Sequence, residues 1–188
     1  MHSALKQRIE MMRGRIEGRA PVAEVHASAQ LFVSPDPVCA RLVSLAGIGD
    51  SDIILEPNAG TGAILRAVRA VAPGAMSDAV ELNAGLCQYL RNEFEGVAVT
   101  CCDFLQYVPG KRYTRIIMNP PFGHAQDIKH IRHAFTLLAP GGVLTAVCLN
   151  GPRQESALKA QSDIWEPLPR GTFTCTDVST VIIRLVAD

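Results

Sequence analysis

Ser51-Asp-Ile-Ile-Leu-Glu-Pro-Asn-Ala-Gly-Thr-Gly62 decides the fold. A short apolar run bounded by turn residues suits a strand buried on both faces. The glycines that follow mark a tight loop, and the segment from Gly62 to about Ala72 has the spacing of a helix. Strand, glycine-rich turn and helix form the opening unit of a parallel α/β sheet, whose ligands bind at the carboxyl edge. A turn of this kind also occurs in dinucleotide sites. Glu56 argues against that ligand, because a carboxylate at the end of the strand would repel a pyrophosphate.

Two further strands repeat the arrangement. Ala79-Val80 ends in Glu81, and Val97-Ala-Val-Thr-Cys-Cys102 ends in Asp103-Phe104. Three successive strands therefore each deliver one carboxylate to the same sheet edge. A cleft ringed by Glu56, Glu81 and Asp103 suits a ligand with cationic groups, a ribose diol and an amine, and suits phosphates poorly.

The fourth strand is Arg115-Ile-Ile-Met-Asn-Pro-Pro-Phe-Gly123. Each proline fixes its own φ and holds the residue before it extended, so Asn119 ends the strand in a stiff loop. Asn119-Pro-Pro-Phe122 resembles the NPP(Y/F) motif of class I S-adenosylmethionine (SAM)-dependent methyltransferases that act on amino nitrogens. The resemblance implies that the Asn119 side-chain oxygen and the Pro120 carbonyl accept the two N–H bonds of a target amine. Catalysis would then be mostly positioning and electrostatics, with Pro121 stiffening the loop and Phe122 giving the base a stacking face.

The resemblance also implies a cofactor site for SAM. Gly60 and Gly62 would let the backbone approach it, with Glu56, Pro57, Asn58, Ala59 and Leu82 along the same wall. Glu81 would hold the ribose hydroxyls, and Asp103 would accept from the adenine amine beside the Phe104 ring. Ser34-Pro35-Asp36-Pro37 is read as the cap of a helix carrying Val38, Leu42 and Leu45. It resembles the Ser/Thr-Pro segment that lines the methionine end of SAM in one circular arrangement of N6-adenine methyltransferases.

Beyond Asn119, Asp127 to Leu138 reads as an amphipathic helix, Ala139-Pro-Gly-Gly142 as its stop, and Val143 to Cys148 as the fifth strand. Asp127, His130 and His133 share one helix face near His124. That pattern admits a metal site, but lining the target cleft or capping neighbouring groups is the expected role, and no metal is assigned. His124, Arg153 and Phe173 are candidate substrate contacts, with Phe173 against the far face of the base and Arg153 and Arg170 towards phosphates. Lys111, Arg112 and Arg115 precede the fourth strand and read as a solvated face at the opposite edge.

The expected fold class is therefore α/β: a Rossmann-like class I methyltransferase fold, with a mostly parallel seven-stranded sheet, helices on both faces and an antiparallel last strand. At 188 residues the chain reads as one domain, with an N-terminal helical extension over 1–28 and a SAM-binding and catalytic core over 30–186. No separate target-recognition domain is expected, which leaves recognition to the cleft rim, the basic amphipathic helix of residues 4–19, or a homodimeric or other partner subunit. No apolar run approaches the ~20 residues that span a bilayer. Six cysteines without metal-ligand spacing read as reduced, which fits a cytoplasmic protein.

Composition limits the partner. Eighteen basic and eighteen acidic residues cancel, so any nucleic-acid contact must use local patches. The leading expectation is methylation of adenine N6 in DNA with low sequence specificity. The alternatives are adenine N6 or guanine N2 in RNA, a glutamine amide in protein, and an idle SAM- or nucleic-acid-binding module.

Overall fold

A computed structural model describes residues 33–173 and 178–188. The amphipathic segment at 4–19, the residues just before Val33 and Cys175 lie outside the described residues. Chain order gives α1 (Asp36–Ala46), β1 (Ile53–Pro57), α2 (Ala63–Val71), β2 (Met76–Glu81), α3 (Ala84–Glu93) and β3 (Ala98–Cys101). It continues through β4 (Tyr113–Met118), α4 (Gln126–Thr136), β5 (Leu138–Leu149), α5 (Pro152–Leu158), β6 (Ile164–Pro167) and β7 (Thr180–Val186).

The strands form one seven-stranded sheet in the order β3-β2-β1-β4-β5-β7-β6. Strands β1 to β5 pair in parallel, whereas β7 is antiparallel to both β5 and β6. The order reverses between β1 and β4, and such a switch point opens a crevice at the carboxyl edge. This is the Rossmann-like class I methyltransferase fold with its reversed last strand. The central strands are buried on both faces because helices cover both sides: Leu55, Ile116, Met118 and Leu144 belong to one cluster, Ile54, Ile117 and Val147 to the other. Near-continuous apolar runs follow from that double burial.

Three local expectations need correction. Ser34 does not cap α1; Pro35 occupies the cap position and makes no side-chain bond, which leaves the buried Ser34 hydroxyl for Asn119. The Ala139-Pro-Gly-Gly142 segment does not separate helix from strand. It lies within β5, where the register shifts from Tyr113 opposite Leu138 to Arg115 opposite Val143, so the extra residues bulge out of the pairing. Nor are Lys111, Arg112 and Arg115 simply solvated. Lys111 pairs with Asp78 at 2.9 Å, Arg115 with Asp52 at 3.4 Å, and Arg112 donates to the Thr136 carbonyl. These contacts fasten the edge away from the crevice, together with Tyr113, whose hydroxyl donates to Asp78 at 2.7 Å.

All five described cysteines are free; Cys39, Cys87 and Cys148 are buried, Cys102 is half-buried and Cys101 is exposed.

Gly62 is the closest approach in the fold. Its φ is +73°, and a Cβ there would stand 2.5 Å from the Phe94 ring. That ring lies under Arg66 and Arg69, whose guanidinium carbons are 5.7 and 5.4 Å from its centre. Gly62→Ala should therefore combine left-handed strain with overpacking and cost about 2–4 kcal/mol of folding stability. Urea unfolding measures it, and a loss below about 0.5 kcal/mol, the usual range for surface changes, would mean that the ring yields freely.

Candidate functional site

Strand ends build the crevice. Glu56 is the next-to-last residue of β1, Glu81 the last of β2, Asp103 the second residue beyond β3, and Asn119 the first beyond β4. Because these strands run in parallel and side by side, their terminal residues collect at one edge. A cavity of about 410 Å³ opens there, within the 300–1,000 Å³ typical of small-molecule sites.

Ser34, Glu56, Asn58, Ala59 and Gly60 line one part of it; Glu81, Leu82, Asn119, Pro120 and Pro121 line the rest. Pro35, Pro57, Gly62, Asp103 and Phe104 do not reach its wall. Gly62 instead holds α2 against Phe94. Asp103 caps the short turn that follows, accepting from the Leu105 amide at 3.0 Å. Phe104 is buried in the core, where the ring of His133 meets it edge-on at 4.9 Å.

The Glu81 carboxylate ties the crevice together. One oxygen accepts from the Gly60 amide and the other from the Asn83 amide, both at 2.8 Å. The glycine loop after β1 and the turn into α3 are thereby held to one group. Asn83 then caps α3 by accepting from the Gly85 and Leu86 amides. Each carboxylate oxygen retains a second acceptor direction for a hydroxyl in the crevice. Asn83 lines the cavity as well, and an Asn two residues after a strand-ending acid was the available signal for it.

Glu56 is different. Its side chain is buried, and among the described residues Oε2 has no hydrogen-bond partner. Burial raises its pKa well above the ordinary carboxyl value; the nearby Glu81 charge adds to the rise, while the Leu65 amide and Arg66 oppose it. A buried acceptor facing a cavity is costly unless a ligand satisfies it. An ammonium or sulfonium group would supply the missing charge.

Asn119 connects the two ends of the site. Its Nδ2 donates to the Ser34 hydroxyl at 3.0 Å, which orients the amide plane at the end of β4. Phe122 and Phe173 are both buried and meet edge-to-face at 6.3 Å; neither lines the cavity. His124 is exposed with φ +55°, and Arg153 is exposed on α5.

The helix-face cluster caps its neighbours. The buried Asp127 accepts from the Leu149 amide at 3.1 Å and from Gln154 Nε2 at 2.9 Å. His130 Nδ1 lies 2.8 Å from Asn58 Oδ1, and His133 Nε2 lies 3.0 Å from the Tyr107 carbonyl. No group of metal-ligating side chains is present among the described residues. Likewise no described helix is long and apolar enough to cross a membrane.

Comparison with known proteins gives this edge a context. Residues 46–166 match the methyltransferase small domain family. Ribosomal RNA small subunit methyltransferase A of Chlorobium phaeobacteroides is 34% identical over 77 residues, which are 41% of this chain and 29% of that protein. The chain thus spans about three-tenths of the curated relative it matches. Among solved structures, 23S rRNA methyltransferase ErmE aligns with a TM-score of 0.67 and 18% identity, over 84% of this chain and 70% of its own. A dimethyladenosine transferase from Plasmodium falciparum aligns at 0.64 and 16% identity, over 84% and 64% respectively. At such identities the structural likeness carries the fold alone.

The Glu56 environment has a pH signature. A carboxyl whose folded pKa is raised contributes stability below its unfolded value, and that contribution is lost as pH rises through the folded pKa. The cofactor-free protein should therefore lose stability above about pH 4.5. Glu56→Gln, which cannot ionise, should remove that loss, so the variant's advantage in urea should grow from pH 4.5 to pH 8. A constant difference across the range would mean that Glu56 is ionised in the native crevice.

Proposed function

The chain belongs to the methyltransferase small domain family, and from that premise we propose that it methylates the N6 amine of adenine in RNA. The observation that carries the reading is Asn119: a proline-stiffened amide, held by Ser34, on the wall of the cavity that Glu56 and Glu81 also line. An exocyclic adenine amine is a weak nucleophile because its lone pair is delocalised into the ring. Acceptors for its two hydrogens, the Asn119 oxygen and the Pro120 carbonyl, favour the form in which that lone pair is available.

SAM, when bound, supplies an electrophilic methyl group on a sulfonium. The crevice fits it on its own chemistry. The buried Glu56 oxygen, without a partner among the described residues, suits the cationic portion, and the Glu81 carboxylate, fixed by two amides, suits a ribose diol. The donor is assigned to the glycine-loop side, where Gly60, lacking a side chain, lines the cavity. The amine then approaches from the Asn119 side, and the protein's own work is orientation and exclusion of water.

RNA is preferred over the DNA expected from the motif alone. The rRNA methyltransferases and the dimethyladenosine transferase supply the context for that choice. A net charge of zero also fits a substrate recognised by folded shape and unpaired bases better than one held along a duplex backbone. Phe122 and Phe173 lie beyond the prolines as an edge-to-face pair. Admitting a stacked base between or beside them requires one ring to turn, so substrate binding and rearrangement of this pair go together.

Labelled SAM incubated with total RNA, DNA and protein, followed by nucleoside digestion, should place the label in N6-methyladenosine from RNA. Label in DNA would restore the duplex or single-strand alternative, and label only in protein would remove both. Asn119→Ala should lower transfer about 10²–10³-fold and change SAM affinity by no more than about threefold. Equal loss of binding and turnover would make Asn119 a cofactor ligand rather than an amine acceptor.

A further inference from the structure

Three successive residues of the glycine loop are fastened, each by a different group. The Ala59 amide donates to the Val80 carbonyl at 3.1 Å, and the Gly60 amide to Glu81 at 2.8 Å. Both fasteners belong to β2. Asn58 is held from elsewhere: its side-chain oxygen lies 2.8 Å from His130 Nδ1, on α4. That helix begins at Gln126, four residues after the Asn119–Phe122 loop closes. His130 is thus the link between the loop facing the methyl donor and the helix that carries on from the amine-holding loop.

Asn58 lines the cavity with φ +59°, a left-handed conformation that asparagine tolerates better than other residues with a Cβ but less freely than glycine. The backbone bonds of Ala59 and Gly60 to β2 fix the residues that follow, and the bond to a fixed donor holds the Asn58 side chain itself. The donor is fixed indeed. His130 is 5% exposed, its ring lies 5.6 Å from that of Phe104, and α4 is anchored a turn earlier by Asp127 and a turn later by His133. Burial also pushes the imidazole pKa down to about 4, so it is neutral at physiological pH. With Asn58 Oδ1 as acceptor, the hydrogen-bond network assigns the single ring proton to Nδ1.

We propose that His130 is a positioning residue, which holds Asn58 in its left-handed turn and so shapes the cofactor wall from the helix beyond the amine-holding loop. It touches no substrate and carries no proton in the reaction. The proposal rests on the reading of this crevice as the SAM site, and it is independent of which nucleic acid is methylated.

The test is a cycle between His130 and Asn58, read as affinity for S-adenosylhomocysteine by calorimetry, with melting temperature recorded in parallel. His130→Leu should weaken binding about tenfold when Asn58 is present. Glycine adopts the left-handed turn unaided, so in an Asn58→Gly background the same His130 change should alter affinity by less than about twofold. His130→Asn, which keeps a donor near the Nδ1 position, should restore most of the affinity. A purely structural role would give the same fold-loss in both backgrounds, and that result overturns the proposal. So does full affinity in His130→Leu alone. Should His130→Leu fail to fold, His130→Asn against Asn58→Ala decides: the first must bind nearly as the parent and the second about tenfold more weakly. Failure of the unaltered chain to bind S-adenosylhomocysteine at all would instead sink the cofactor assignment, and this proposal with it.

Discussion

The Glu81 carboxylate, accepting from the amides of Gly60 and Asn83 at 2.8 Å each, is the contact on which the crevice depends. Parallel strands place their ends side by side but do not fix the loops that leave them. A carboxylate that accepts from two backbone amides is a strong, directional fastener in a nearly buried site. It draws the glycine loop towards β2 and starts α3 at Asn83. The cap of α3 and the wall of the cavity on the β2 side follow from its position.

Around that clamp the site is asymmetric in its electrostatics. Glu81 is satisfied by backbone amides, whereas Glu56 is buried with one oxygen unpartnered among the described residues. Burial of Glu56 carries a desolvation penalty that a cationic ligand would relieve.

The polar face of α4 gives the site its rigidity. Asp127 reaches β5 and α5, His130 reaches the glycine loop, and His133 reaches the segment after β3. One helix therefore ties together connections from three strands. Burying the acid of Asp127 and the imidazole of His130, with His133 half-buried, is tolerable because each polar atom named here has a partner. The same three residues at helical spacing would have been costly as an empty metal site.

Much of this was legible in the residues alone. Apolar runs ending in an acid or in Asn-Pro-Pro-Phe marked strands with a common edge, although the one that precedes Asp103 is a mostly exposed edge strand rather than a buried one. The crevice location followed from that order, and the seven-stranded sheet with its reversed last strand from the family resemblance those residues carry. Local signals failed where a partner distant in sequence decided the outcome. Ser34 looked like a cap, yet its hydroxyl serves Asn119, 85 residues away. Phe104 was expected beside the cofactor's adenine and Phe173 against the target base, and both rings lie buried away from the cavity wall. Ala139 to Gly142 looked like a helix stop, yet pairing with β4 absorbs it as a bulge. Spacing also showed that Asp127, His130 and His133 share a face, while only packing revealed what each one holds. The chain by itself determined which chemistry stands at the sheet's edge, because residue type and strand order are local properties. Tertiary structure decided which of those groups face the cavity and which are spent on one another, because hydrogen bonds and burial join residues that the sequence keeps far apart.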